Sequence, residues 1–339
     1  MSVLDDPNVY LKADPTRMVD RLASLPDQCL QAWEACASLV MPKHYRAVTN
    51  IVFLGVGGSA IGGDLIAGLV YLEDKVPVTI LRGYDLPKWV SSETLAIASS
   101  YSGGTEETIS MYTQARELGA CTAVVAGGGK LYKMAEQDNI PLFTIPYKGE
   151  ARSAIGYSFV VPLALISKLG LISQGDQKLR EAVHVVKALT ESLSPDVPLA
   201  QNLAKTLAES IRGRLPVVYG AGFLTGVARR WKTQLNENSK VWAFAEELPE
   251  LAHNSVEGYS LPGSVKDAAY VVLLHSPYLH PRISSRYRAV EELFLNYGIP
   301  HRRINGVGTA PLAHLLSSVV LGDYVSYYLA ILNGVDPAS

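Results

Sequence analysis

The sequence predicts an α/β fold: two parallel sheets, each doubly wound with helices on both faces. Three observations carry this expectation. Short apolar runs alternate with helical patterns between 51 and 145, as strand and helix do in a parallel sheet. The same opening, an apolar strand followed by glycines and then a helix, occurs near 55 and again near 220, a loose internal duplication without a short repeat period. At 339 residues the chain is long enough to bury two cores of ordinary size.

Residues 1–44 read as a helical arm in two pieces. Met18, Leu22 and Leu25 recur near helical spacing before Pro26, and Cys29, Leu30, Trp33, Cys36 and Ala37 after it, so Pro26 is expected to break or kink the pattern. The first domain is expected over 45–174. Its strands are the apolar runs 51–54, 76–81, 94–98, 121–126 and 142–145, and its helices are 60–71, 106–118 and 131–137. The strongly apolar 158–171 leads into a helical bridge, 175–214. A second domain, 215–339, repeats the pattern with strands at 215–219, 241–244, 269–274 and 301–304, and helices at 223–235, 284–297 and 310–332.

Composition narrows the function classes. Hydrophobic residues make up 48% and charged residues 18%, and the formal net charge is -2, so no basic excess marks a general nucleic-acid or acidic-membrane binder. Any anionic ligand must be held locally. There is no unbroken run of 18 apolar residues, and the start, MSVLDDPNVYLKADP, is acidic and polar; the expected location is the cytoplasm, with no membrane partner. Cys29, Cys36 and Cys121 have no disulfide, redox or metal spacing and read as packed thiols. His44, His184, His275, His280, His301 and His314 likewise form no metal-ligand pattern, so no metal is expected.

Four stretches can carry chemistry. The run FLGVGGSAIGGDLI places five glycines between Gly55 and Gly63, directly after an apolar strand. Read as Gly55-x-Gly57-x-x-Ala60 it fits a dinucleotide fingerprint, yet the place for a ribose-binding acid holds Leu81-Arg82-Gly83-Tyr84-Asp85, where Arg82 would at best suit a 2′-phosphate. The second stretch, Ser99-Ser100-Tyr101-Ser102-Gly103-Gly104-Thr105, joins a strand to a helix. Its hydroxyls and the unpaired N–H groups of a helix start favour an anion. The plainer alternative is an N-cap by Thr105, but one cap needs one hydroxyl and Ser99, Ser100, Ser102 and Thr105 supply more. In the third, Arg229, Thr233 and Glu237 share a helical face, with Glu237 near the helix C-terminus, where the dipole disfavours a carboxylate and makes it a better base; a solvated surface Glu is the alternative. In the fourth, His253 sits in a polar loop, as a proton carrier or as an ordinary exposed histidine. Arg152, after a strand and before an apolar helix, reads from its surroundings alone as a surface arginine.

Together these stretches resemble the bifunctional phosphoglucose/phosphomannose isomerase family of the sugar isomerase (SIS) domain superfamily. The resemblance runs from Leu4-Asp5-Asp6-Pro7 through Gly55-Val56-Gly57-Gly58-Ser59-Ala60-Ile61-Gly62-Gly63-Asp64, the Ser-Tyr-Ser-Gly loop, Asn236-Glu237-Asn238 and His253-Asn254 to Gly334-Val335-Asp336-Pro337. It implies two SIS domains of flavodoxin-like type and a homodimer in which His253 is shared across subunits. It also implies a phosphorylated hexose as substrate and no cofactor. Gly57, Gly58 and Ser59 would line the sugar-phosphate pocket; Ser100, Ser102 and Thr105 would hold the phosphate. Glu237 would move a proton between C1 and C2, His253 would help open the pyranose ring, and Arg152 would stabilise the enediolate. Two departures stand out: Gly104 replaces the family's usual asparagine, and the sequence ends at Ala338-Ser339, where the family commonly continues into a tail carrying a lysine. The implied activity is metal-independent interconversion of glucose 6-phosphate, and mannose 6-phosphate, with fructose 6-phosphate. The alternatives are an isomerase of another phosphosugar and a non-catalytic sugar-phosphate-binding regulator.

Overall fold

In the computed structural model, which describes residues 2–73 and 75–339, contacts divide the chain into two units. One is Leu25–Arg180; the other is Glu181–Ser339 joined by the N-terminal stretch that ends at Ser24.

In Leu25–Arg180 the apolar runs become β1 (Asn50–Leu54), β2 (Val78–Leu81), β3 (Thr94–Ser100), β4 (Cys121–Ala126) and β5 (Leu142–Thr144). All pair parallel, in the order β2-β1-β3-β4-β5, the flavodoxin-like arrangement. β3 and β4 are buried at every residue, which is why they read as continuous apolar runs instead of alternating ones. The helices Gly57–Tyr71, Glu106–Glu117, Gly129–Gln137 and Ile155–Lys168 accompany the sheet.

Two expectations shift. The glycine run is not a long turn: only Gly55 and Val56 separate β1 from a helix that begins at Gly57. Low helix propensity is overridden here by packing. At Gly62 a Cβ would lie 2.0 Å from the carbonyl oxygen of Ser158, so the absence of a side chain is what lets this helix meet Ile155–Lys168 backbone to backbone. Pro26 does not break a helix either. It is the second residue of the helix Leu25–Ala35, in the first turn, where a missing N–H removes no helical hydrogen bond; the preceding helix, Met18–Ala23, has already ended at Ser24.

In the other unit β6 (Leu215–Ala221), β7 (Phe244–Leu248), β8 (Ala269–His275) and β9 (His301–Asn305) form a second parallel sheet, ordered β7-β6-β8-β9. This repeats the first four strands of the other sheet. The strand expected at 241–244 starts only at Phe244, because Val241 is folded back onto the preceding helix: its N–H donates to Leu235 O at 3.2 Å and its carbonyl accepts from Asn236 Nδ2 at 2.8 Å. Pairing with β6 then opens at Val217 opposite Phe244.

The core helix of this unit is Pro311–Asn333, packed against Leu203–Ile211 and Thr225–Glu237. By length and composition it would pass for a membrane span, yet its apolar window is buried throughout inside the protein. Its one buried carboxylate, Asp323, forms a two-pronged ion pair with buried Arg230 (Nε–Oδ1 3.0 Å, Nη2–Oδ2 2.7 Å). The N-terminal stretch is tied to the same unit. Lys205 Nζ donates to Leu4 O at 2.7 Å, and Tyr327 OH donates to Asp14, whose carboxylate also takes the Met18 N–H.

Candidate functional site

With strand order β2-β1-β3-β4-β5, connections leave β1 and β3 toward opposite edges of the sheet. The carboxyl ends of these two strands are therefore the switch point at which open α/β sheets take their ligands. Gly55–Ser59 follows β1 and Ser99–Thr105 ends β3, so the first two motifs meet there. A direct bond joins them: Tyr101 N–H donates to Ser59 Oγ at 3.1 Å.

The serine-rich loop is folded on its own hydroxyls. Ser100, buried at the strand end, accepts the Gly103 N–H on its Oγ at 3.1 Å and pairs with Thr105 Oγ1 at 2.9 Å. Ser102, exposed, accepts the Gly104 N–H at 3.2 Å. Thr105 is the N-cap of Glu106–Glu117 but makes no side-chain cap bond. The helix's first-turn N–H groups are thus left without a side-chain cap, and its positive end faces a loop of hydroxyls. A helix start of this kind suits an anion, through its dipole and N–H donors.

Arg152 is brought to the same end of the sheet. It sits half-buried on the turn Ala151–Ser153, and a Cβ on Gly58 would lie 3.1 Å from its backbone nitrogen, so the helix start and the arginine's backbone touch. Gly57–Ser59, Ser100–Thr105 and Arg152 therefore form one neighbourhood of the Leu25–Arg180 unit.

Glu237 and His253 belong to the other unit. Glu237 is the exposed last residue of Thr225–Glu237, and its carbonyl accepts from Lys240 Nζ at 2.6 Å. His253 is exposed on the turn Glu250–His253. β7 runs between them, with Glu237 before its start and His253 beyond its end. A five-residue strand spans about 15 Å, and the two residues flank its opposite ends in the chain.

Other candidates drop away on partners and burial. Arg82, the cation of the dinucleotide alternative, is bound to Asp64 of the helix Gly57–Tyr71. Among the described residues no group of three or more His, Cys, Asp or Glu side chains is placed to hold a metal. Burial pushes the Cys29 thiol up to about 12 and Cys36 up to about 11, so neither is a thiolate at neutral pH.

Sequence reasoning missed Tyr101 and Tyr147. Tyr101 OH donates to Tyr147 O at 2.9 Å and accepts the Gly149 N–H at 3.1 Å, while Tyr147 OH donates to Ser153 Oγ at 2.9 Å. The only signal was position: a tyrosine set among serines at a strand end, with nothing in the sequence to name its partner 46 residues on.

The chain is similar to known proteins along nearly its whole length. The family model described as the bacterial phospho-glucose isomerase C-terminal SIS domain matches residues 200–339. A bifunctional phosphoglucose/phosphomannose isomerase of Caldicellulosiruptor bescii is 39% identical over 321 residues, covering 94% of this chain and 95% of that protein. One from Aquifex aeolicus is 32% identical, covering 90% of each. Among solved structures, a tagatose-6-phosphate ketose/aldose isomerase from Escherichia coli superposes with a TM-score of 0.72 at 17% identity, covering 94% of this chain and 93% of that one, a likeness of fold.

Proposed function

The chain belongs to the bifunctional phosphoglucose/phosphomannose isomerase family, and we infer that it interconverts glucose 6-phosphate and mannose 6-phosphate with fructose 6-phosphate. One observation beyond kinship supports this most: an uncapped helix start at the β1/β3 switch point, faced by Ser100, Ser102 and Thr105, suits the phosphate of such a substrate.

In this reading the phosphate anchors the far end of the sugar, and that remote binding orients C1 and C2 for the reaction. Gly57, Gly58 and Ser59 line the wall beside it. His253 acts at the ring oxygen to open the pyranose. Glu237 then removes the proton from C2 and returns one to C1, through a cis-enediol, while O1 and O2 exchange carbonyl and hydroxyl character. Arg152 supplies a fixed positive charge for the enediolate oxygens. The electrons stay within the substrate, so the step calls for no redox cofactor, and the guanidinium takes the place of a metal. Following what the family resemblance implies, the reading pairs Glu237 with His253 of a second copy, in a cytoplasmic homodimer.

The test is a coupled assay with each aldose phosphate in excess chelator. Turnover with both is expected; none with either, or loss on chelation, overturns the reading. Glu237→Gln should lower kcat by roughly 10²- to 10⁴-fold while a non-isomerisable hexitol phosphate still binds. Normal turnover in that variant would assign the base elsewhere.

A further inference from the structure

We propose that Tyr101 is a positioning residue: its hydroxyl locks the backbone that carries Arg152 in register with the phosphate loop. This rests on the reading of Arg152 as the cation for the enediolate.

The hydrogen bonds form a continuous path. At the loop end, Tyr101 N–H donates to Ser59 Oγ at 3.1 Å and Tyr101 O accepts the Gly127 N–H at 3.0 Å, fixing the residue between the β1 and β4 turns. Its side chain then reaches across to the segment after β5. There the hydroxyl donates to Tyr147 O at 2.9 Å and accepts the Gly149 N–H at 3.1 Å, satisfying two backbone groups of a stretch with no regular structure of its own. Tyr147 carries the link onward: its hydroxyl donates to Ser153 Oγ at 2.9 Å, and Ser153 follows Arg152 directly. Ser153 is itself closed onto Glu150 through its N–H at 3.0 Å and its hydroxyl at 2.9 Å. On the other side Gly58 abuts the Arg152 backbone nitrogen. The turn at 151–153 is thus clamped between the helix start and a chain of two tyrosine hydroxyls whose near end is the phosphate loop.

Neither hydroxyl belongs to the sheet ladders or to the serine bonds that fold the loop. Tyr101 is anchored in addition through its backbone and ring, the latter edge-on to Tyr147 at 6.4 Å. What the hydroxyl of Tyr101 adds is register between the loop that binds and the turn that stabilises charge. Loss of register of the order of 1 Å at a catalytic group lowers rate by about 100-fold without a matching loss of binding.

Tyr101→Phe removes the hydroxyl and keeps the ring. Three measurements on the full chain decide the matter: kcat with glucose 6-phosphate, Kd for glucitol 6-phosphate, and hydrogen exchange over 147–153. The expected result is a kcat lower by roughly 10- to 100-fold, unchanged affinity for glucitol 6-phosphate, and faster exchange at Gly149 and through the turn. Tyr147→Phe should move kcat and exchange in the same direction. Faster exchange with normal kcat overturns the proposal, as does a loss of glucitol 6-phosphate affinity as large as the loss of kcat, which would make Tyr101 part of the phosphate anchor. If the unaltered protein turns over neither hexose phosphate, the isomerase reading itself falls and takes this role with it.

Discussion

Replacing Gly62 by alanine tests whether the glycine run serves packing more than ligand approach. The new Cβ would lie 2.0 Å from Ser158 O, 2.7 Å from Ser158 C and 3.1 Å from Phe159 N. Ordinary contact starts near 3.4 Å, so the two helices must part by about 1.4 Å, and the obstacle is backbone, which no rotamer change can move aside. Overpacking of this kind costs about 1–3 kcal/mol, and the gain from placing alanine in a helix interior returns about 1 kcal/mol. With a backbone obstacle the upper range applies, leaving a net loss of about 1–2 kcal/mol. For a unit the size of Leu25–Arg180, calorimetry should record a Tm lower by roughly 2–8 °C. Gly104→Ala is the control: only Ser102 Oγ, at 3.9 Å, lies within 4 Å of its Cβ, and a change within about 0.5 kcal/mol is expected. A Tm for Gly62→Ala equal to or above that of the parent would refute the packing argument.

Two further outcomes follow from the loop and from the core helix. Ser100→Ala deprives Gly103 N–H and the Thr105 hydroxyl of a buried partner, and the loosened loop should bind a hexose phosphate roughly 5- to 100-fold more weakly, read by titration calorimetry. His314, 4% exposed, donates from Nε2 to Gly308 O at 3.0 Å, and burial holds its pKa below the usual histidine value. The folded state therefore binds fewer protons than the unfolded one as pH falls. The neutral histidine's contribution to stability is full above about 6.5 and declines as pH drops below it. Thermal melts from pH 7.5 down to 5.5 should show Tm falling, with a shallower fall in His314→Gln; identical slopes would remove His314 as the cause.

The strands and their parallel arrangement were legible in the sequence because burial on both faces writes parallel strands as largely apolar runs, and Leu95–Ala98 and Cys121–Ala126 are such runs. Element starts were less legible where a tertiary contact sets them. Phe244 begins β7 because Val241 is tied to Leu235 and Asn236, and the helix from Gly57 brings Gly58 and Gly62 against the backbones of Arg152 and Ser158. Pro26 carried the right signal with the wrong sense: proline marks a boundary, and here the boundary is a helix start. At the site, the crowd of hydroxyls at a strand end pointed to an anion without any partner being known. Tyr101 was not legible, since its worth lies in bonds to residues 42 and 46 positions away, which no local pattern encodes.

The duplicated topology has diverged where it matters for an anion. In the first sheet the chain leaves β3 through Ser99–Thr105 into a helix whose cap hydroxyl is turned to Ser100, so the helix start remains open. In the second sheet the chain leaves the equivalent strand, β8, into the helix Pro281–Tyr297. That helix begins with a proline, which has no N–H, and His280 Nδ1 accepts the Arg282 N–H at 3.1 Å. One donor is missing and another is satisfied, so this terminus offers an anion fewer N–H groups than the first. The loop behind it is short of donors as well: Ser276 is fully buried and its Oγ accepts the Tyr278 N–H at 3.2 Å. The second unit exposes the carboxylate of Glu237 and the imidazole of His253, the groups that the proposed function uses to move protons.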